Sequence, residues 1–320
     1  MKGKYRIVVQ NKRLRYDFEI KRNITIIRGD SATGKTALIE MVREFQENEN
    51  DSGIELECEK RCIAIFGSNW EIQLRTIHDS IVFIDEGARF TASREFAAFI
   101  QKTDNYYVIV SRESLPSLPY SVEEIYGIRN SGKYGSLKRT YNEIYRLYGE
   151  YDFSFPIVPE QILTEDSNAG FAFFQDVCKT NGITCISAHG KSNIFSNALK
   201  LTKGETLIIA DGAAFGSEIE KILKLLGLNS KLHLYLPESF EWLILKSGLF
   251  EDGEIKKILK EPYQYIESSQ DFSWERFFTK LLTRITANTY MEYTKRNLNP
   301  FYIQKNVKTK ILQVMEKIEL

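Results

Sequence analysis

Residues 24–40 read ITIIRGDSATGKTALIE, and this stretch decides what kind of fold the chain builds. Its first four residues are apolar and mostly β-branched, the composition of a short buried strand. From Leu38 onward the apolar residues Leu38, Ile39, Met41, Val42 and Phe45 recur at helical spacing, so a helix follows. Between them lies Gly29-x-x-x-x-Gly34-Lys35-Thr36, a pattern in which successive backbone N–H groups wrap a phosphate. The glycines permit conformations and close approaches that a Cβ would block. Lys35 brings a point charge to the terminal phosphates, the Thr36 hydroxyl is a candidate Mg²⁺ ligand, and the helix start points its positive end at the anion. The candidate cradle is Gly29, Asp30, Ser31, Ala32, Thr33, Gly34, Lys35, Thr36 and Ala37. A glycine turn without a ligand has the same local pattern, so the rest of the chain must decide between the two.

A second element of the same chemistry lies downstream. Residues 80–90, SIVFIDEGARF, hold a continuous apolar run that ends in Asp85 and Glu86. An uninterrupted run fits a parallel strand covered on both faces. Asp85 is placed to hold Mg²⁺ and Glu86 to act as general base toward an attacking water, with solvated strand-end acids as the plain alternative. With Lys35 upstream, the chain resembles the P-loop NTPases, and the Asp-Glu pair is similar to the subgroup with an acid beside the Mg²⁺-linked aspartate. The resemblance covers about the first 110 to 150 residues and implies ATP and Mg²⁺ as cofactors. Residues 105–114, NYYVIVSRES, supply a further buried strand ending in Ser111 and Arg112. By resemblance to AAA-type ATPases, Ser111 is a candidate γ-phosphate sensor and Arg112 a candidate for stabilising transition-state charge. A surface arginine is the equal alternative for Arg112.

No LSGGQ-like stretch lies between Gly34 and Asp85, and no sensor arginine in a helical lid follows residue 112. Residues 114–148 are instead aromatic, basic and strand-like, so the core most resembles small AAA-type or phage-assembly ATPases, with catalysis across a homo-oligomer left open.

The chain has 320 residues, enough for two domains, and its 43% apolar content suffices for a core in each. Its 43 Lys and Arg balance 43 Asp and Glu, which argues against a chain-wide grip on nucleic acid. The basic N-terminal stretch, Lys2 through Arg22, reads as the solvated face of an edge hairpin, with nucleic-acid contact as the alternative. Cys58, Cys62, Cys178 and Cys185 lack zinc-site spacing, no secretory-leader pattern is seen, and reduced thiols in a cytoplasmic protein are expected, with Cys62 and Cys185 buried in strand-like runs. No run is long enough for a membrane span. His78, His189 and His233 are scattered and read as structural.

Glycine and two prolines in residues 149–161, GEYDFSFPIVPEQ, mark a boundary, giving a P-loop domain over 1–152 and a second domain over 153–320. Strands at about 161–165, 183–187, 206–210 and 231–236 alternate with helices, predicting a four-strand α/β unit. Glu165 and Asp211 follow the first and third of these strands, and Glu238 and Glu241 follow the fourth. The arrangement resembles the toprim domains of topoisomerases, primases and OLD-family nucleases, which implies Mg²⁺ bound by Glu165, Asp211 and Glu241 for phosphodiester chemistry. The family's glycine after the glutamate is Asp166 here, and its second aspartate is Ala213, leaving Asp166, Glu218 or Glu241 to supply the missing carboxylate. The remainder is amphipathic helix. The expected fold class is therefore α/β, a P-loop parallel-sheet domain followed by a four-strand toprim-like domain with C-terminal helices. Two functions compete: an ATPase governing a nuclease-like effector, as in phage-defence proteins, or a nucleotide-gated module of a mobile element or phage that binds nucleic acid or protein without further chemistry.

Overall fold

The computed structural model describes residues 1–29, 34–130, 140–149, 155–201 and 204–320. Asp30, Ser31, Ala32 and Thr33 of the candidate cradle lie outside the described residues. The chain forms two units, one of Met1–Gly149 with Tyr263–Ser273 and the other of Glu150–Pro262 with Trp274–Leu320.

In the first unit, alternation in the N-terminal segment builds β1 (Tyr5–Gln10) and β2 (Leu14–Ile20) as an antiparallel hairpin. There follow β3 (Ile24–Arg28), α1 (Lys35–Asn48), β4 (Glu55–Glu57), β5 (Arg61–Ile65), α2 (Trp70–Arg75) and β6 (Ser80–Ile84). Then come α3 (Arg94–Ile100), β7 (Tyr106–Val110), β8 (Ile125–Asn130) and β9 (Thr140–Arg146). They make one nine-stranded mixed sheet in the order β4-β1-β2-β9-β8-β3-β7-β6-β5. The five strands from β8 to β5 are mutually parallel, and every residue of β3, β6 and β7 is buried, as their unbroken apolar runs require.

The hairpin is flanked on both sides, by β4 and β9, and so is not the edge that its basic side chains suggest. Those charges are matched locally: Arg6 and Arg15 bond Asp17, Lys4 pairs with Glu19, and Lys21 and Arg22 reach Glu123. The two end strands, β4 and β5, are joined by only three residues, 58–60, so the sheet's edges come together around α1. Leu38, Ile39, Met41 and Val42 of α1 pack into the core formed by both ends of the sheet, with Phe45 partly buried beside it.

The segment Tyr263–Ser273 belongs to this unit although it follows most of the second in sequence. The Gly3 N–H donates to the Tyr263 carbonyl at 2.8 Å, the Asn23 amide donates to the Phe272 carbonyl, and Ile266 and Phe272 are buried.

The second unit contains β10 (Gln161–Thr164), α4 (Ala169–Asn181), β11 (Thr184–Ser187), α5 (Lys191–Ala198), β12 (Thr206–Ile209), α6 (Ile219–Leu228) and β13 (Leu232–Tyr235). After these come α7 (Phe240–Lys246), α8 (Gly253–Lys260), α9 (Trp274–Thr286) and α10 (Lys305–Leu312). Its sheet is wholly parallel, in the order β11-β10-β12-β13, and all four strands match the sequence expectation to within two residues. The chain starts in the middle at β10, steps outward to β11, then crosses back to β12. Connections therefore leave in opposite directions between β10 and β12, which opens a crevice at their carboxyl ends.

Candidate functional site

In the first unit β7 lies between β3 and β6, with Ile27 level with Val110 and Ile109 level with Ile84. Parallel strands deliver their carboxyl ends to one sheet edge. Gly29, Ser111, and Asp85 with Glu86 thus emerge side by side, with β3 and β6 about 10 Å apart by ordinary strand spacing. Among the five parallel strands, the one that follows β3 in sequence is β5, reached by way of β4 and lying on one side, and the one that follows β7 is β8 on the other, so this edge is again a switch point.

Gly29 and Gly34 have φ of 140° and 94°, values that a side chain resists, so both glycines are needed here. Gly34 caps α1, and its carbonyl accepts from the Leu38 N–H at 3.1 Å and from the buried Tyr16 hydroxyl at 2.7 Å. A Cβ on Gly34 would meet Tyr16 Oη at 2.9 Å and Asn142 Nδ2 at 3.1 Å. Tyr16 and Asn142, from β2 and β9, therefore brace the loop's far end. Sequence reasoning missed both, since neither lies near the glycine pattern. Lys35 is buried and its ammonium donates to the Gly29 carbonyl at 2.6 Å, while Thr36 is exposed and Ala37 half-buried in the first helical turn.

Asp85 Oδ1 is buried and has no hydrogen-bond partner. A buried carboxylate oxygen in that state is costly and calls for a cation or donor. The adjacent Glu86 pairs with Arg112, Nε to Oε1 at 2.5 Å. Ser111 is buried and its hydroxyl donates to the Glu113 carbonyl at 2.9 Å. The donor set at this edge, a threonine hydroxyl and an orphaned carboxylate beside a lysine, fits a magnesium nucleotide.

In the second unit a cavity of about 230 Å³ opens at the carboxyl ends of β10 and β12. Its lining includes Glu165, Asp211, Glu241, Glu275 and Lys295, so the three sequence candidates line one cavity. Two partners were not foreseen: Glu275 from α9, and Lys295, which donates to Glu275 at 2.5 Å. No local pattern marks either one. Glu165 Oε2 accepts from the Asp211 N–H at 3.1 Å, and Glu241 Oε1 accepts from the Tyr293 hydroxyl at 2.8 Å. Burial pushes the Glu165 carboxyl up to about 7, its bond from the Asp211 amide opposing. Burial, then the charges of Glu275, Glu165 and Glu241, push Asp211 well above the usual carboxylate range. Four carboxyl groups here face the single ammonium of Lys295, and a proton or a hard divalent cation would offset the remaining negative charge. Among the described residues no three His, Cys, Asp or Glu side chains converge as a ready-made metal cage.

Asp166 lines the same cavity, with its carboxylate oxygens already engaged. It serves as a helix cap, accepting from the N–H groups of Asn168 and Gly170, each at 2.9 Å, at the start of α4. Glu218 is also committed, to Ser217 at 3.2 Å and Lys221 at 3.5 Å. His189 lines the cavity, His233 bonds Glu205 at 2.6 Å, and His78 is exposed beside Asp104. The cysteines are free, with Cys62 and Cys178 buried, and with Cys185, like Cys58, half-buried rather than buried as expected. Among the described residues no helix is long and apolar enough to cross a membrane. No protein-family model and no curated protein matches the chain.

Proposed function

We propose that the first unit binds and hydrolyses ATP with Mg²⁺, and that its nucleotide state governs a toprim-like effector in the second unit. The observation that carries this reading is the shared edge of β3, β7 and β6, where a glycine loop, Lys35 and an unpartnered buried Asp85 oxygen meet. Lys35 exchanges its bond to the Gly29 carbonyl for the terminal phosphates. Thr36 and Asp85 are the residues that would hold Mg²⁺, whose chemistry there is to neutralise charge on the phosphoryl oxygens. Glu86 takes the proton of the attacking water once Arg112 leaves it. Arg112, half-exposed, then turns its charge toward the phosphates, while Ser111 reports on the γ-phosphate.

Titration calorimetry with ATP and Mg²⁺ tests the cradle. Lys35→Ala should weaken binding by at least tenfold, about 1.4 kcal/mol or more. Glu86→Gln should bind as the wild type does and turn over at least a hundredfold more slowly. Equal affinity in wild type and Lys35→Ala would remove the nucleotide assignment.

For the second unit the favoured reading is a divalent-metal site at Glu165, Asp211 and Glu241, acting on phosphodiesters. Mn²⁺ should raise the melting temperature, and Asp211→Asn should abolish the rise, with a shift of about 2.7 kcal/mol at a hundredfold excess over Kd. A rival reading, a nucleotide-gated binding module without chemistry, draws on Ala213 and on the Lys295–Glu275 pair, which already places a cation in the cavity. No Mn²⁺ effect on the wild type, or an equal effect on Asp211→Asn, would favour the module.

A further inference from the structure

The four cysteines fall into two interacting pairs, Cys58 with Cys62, which line one cavity, and Cys178 with Cys185. The first pair is the one with access. Cys58 is half-buried and, with Cys62, lines a cavity of about 400 Å³ floored by Phe45 and Gln46 of α1 and flanked by Leu56 and Lys60. Cys62 is buried behind it and also donates to the Lys60 carbonyl at 3.7 Å.

We propose that Cys58 and Cys62 are a modification site, a dithiol that a small peroxide entering this cavity converts to an intramolecular disulfide. The Cys58 thiolate attacks one peroxide oxygen, an S–O bond forms, the O–O bond breaks, and the leaving oxygen departs as water after taking a proton. The Cys62 thiol then loses its proton and attacks the Cys58 sulfur. The S–S bond forms, the S–O bond breaks, and a second water leaves. Two thiols are oxidised and one hydrogen peroxide is reduced to two waters.

The surroundings divide the roles. The Cys62 hydrogen bond and the amides of Lys60 and Glu59 favour the thiolate on Cys58 and lower its pKa to about 7, against burial and the Glu59 charge. Glu49, Lys60 and Arg61 are the other charged groups facing the cavity. The same contact, with burial, pushes Cys62 far up, which keeps it a thiol until Cys58 is oxidised. Attacking and resolving sulfurs are thereby distinguished. A disulfide there closes a ring across the three residues that link the sheet's two end strands.

Peptide mapping of the wild-type chain tests the site without any substitution. Trypsin cuts after Lys60 and Arg61, so residues 44–60 and 62–75 separate when the thiols are reduced. After hydrogen peroxide they should be recovered joined, and dithiothreitol should part them again. The rate should rise roughly tenfold between about pH 6 and about pH 8, following the Cys58 thiolate. It should fall when the chain is unfolded in guanidinium. Recovery of the peptides as separate alkylated species, over-oxidation of Cys58 with Cys62 left free, or an equal rate in the unfolded chain would overturn the proposal.

Discussion

Glu124 shows how a single buried side chain makes stability depend on pH. It ends a short turn, Val122–Glu124, with its side chain fully buried. Thr25 and Tyr126 donate to its Oε2 at 3.4 and 3.5 Å, while Arg22 Nε stands 3.8 Å from its Oε1. These are long contacts for a carboxylate. Burial outweighs the attraction of Arg22, Lys21 and Arg146, with Glu123 adding repulsion, and the carboxyl is pushed up to about 7 from 4.5. A raised acid holds its proton longer when folded than when unfolded. Its contribution is thus fully present below about pH 4.5 and is lost as pH rises through about 7, on the order of 3 kcal/mol at most. Glu123 acts in the opposite direction, because Arg22, Lys21 and Arg146 hold its carboxyl below the usual range despite burial. Melting temperature measured between about pH 5 and pH 8 should fall less steeply in Glu124→Gln than in wild type. An unchanged slope would mean that another group carries the effect. The sequence marks Glu124 only as one more acid in residues 121–126, SVEEIY, because nothing local reports burial.

At the scale of the element, the start of α1 joins local pattern to distant support. The glycine loop, Lys35 and the helix's apolar face are legible in residues 24–45. The brace is not, because Tyr16 and Asn142 reach Gly34 only when β2 and β9 pair beside β8. Gly34→Ala combines a left-handed φ, roughly 1–2 kcal/mol of strain, with a Cβ 2.9 Å from Tyr16 Oη. It should destabilise the unit and impair nucleotide binding together. Tyr16→Phe separates the two effects, because it keeps the ring and removes only the hydroxyl, with its bonds to the Gly34 carbonyl and to Asn142, about 1 kcal/mol each. Calorimetry should then show ATP affinity lowered about fivefold, with the melting temperature lowered by only a few degrees. Unaltered affinity would reduce Tyr16 to a core residue.

For the whole molecule, the segment Tyr263–Ser273 means that neither unit is one continuous stretch of chain. Ile266 and Phe272 bury side chains worth about 1.5–3 kcal/mol each in the first unit. A fragment ending at Gly149 should therefore melt on the order of 10 °C below the same unit extended by a linker and residues 263–273. Equal melting by circular dichroism would show that the segment adds nothing. The sequence suggests one boundary near residue 152, since Gly149, Pro156 and Pro159 interrupt the pattern there. The later crossings, after Pro262 and after Ser273, lack a comparable signal, for residues 262–274 read like any loop between amphipathic helices.

The features legible in the sequence are those with a short-range physical cause. Unbroken apolar runs became β3, β6 and β7; strict alternation of strand and helix became the four-strand parallel sheet; and acids at strand ends arrived at sheet edges, because a strand's end is where its next residue must go. Tertiary structure alone decided which of those acids meet, and what meets them. Asp166, adjacent to Glu165 in sequence, reaches the cavity with its carboxylate already bonded to the start of α4, whereas Glu275 and Lys295 come from more than a hundred residues further along the chain. Strand order, and the burial that shifts the charges of the groups it gathers, depend on contacts between distant segments, which no local pattern encodes.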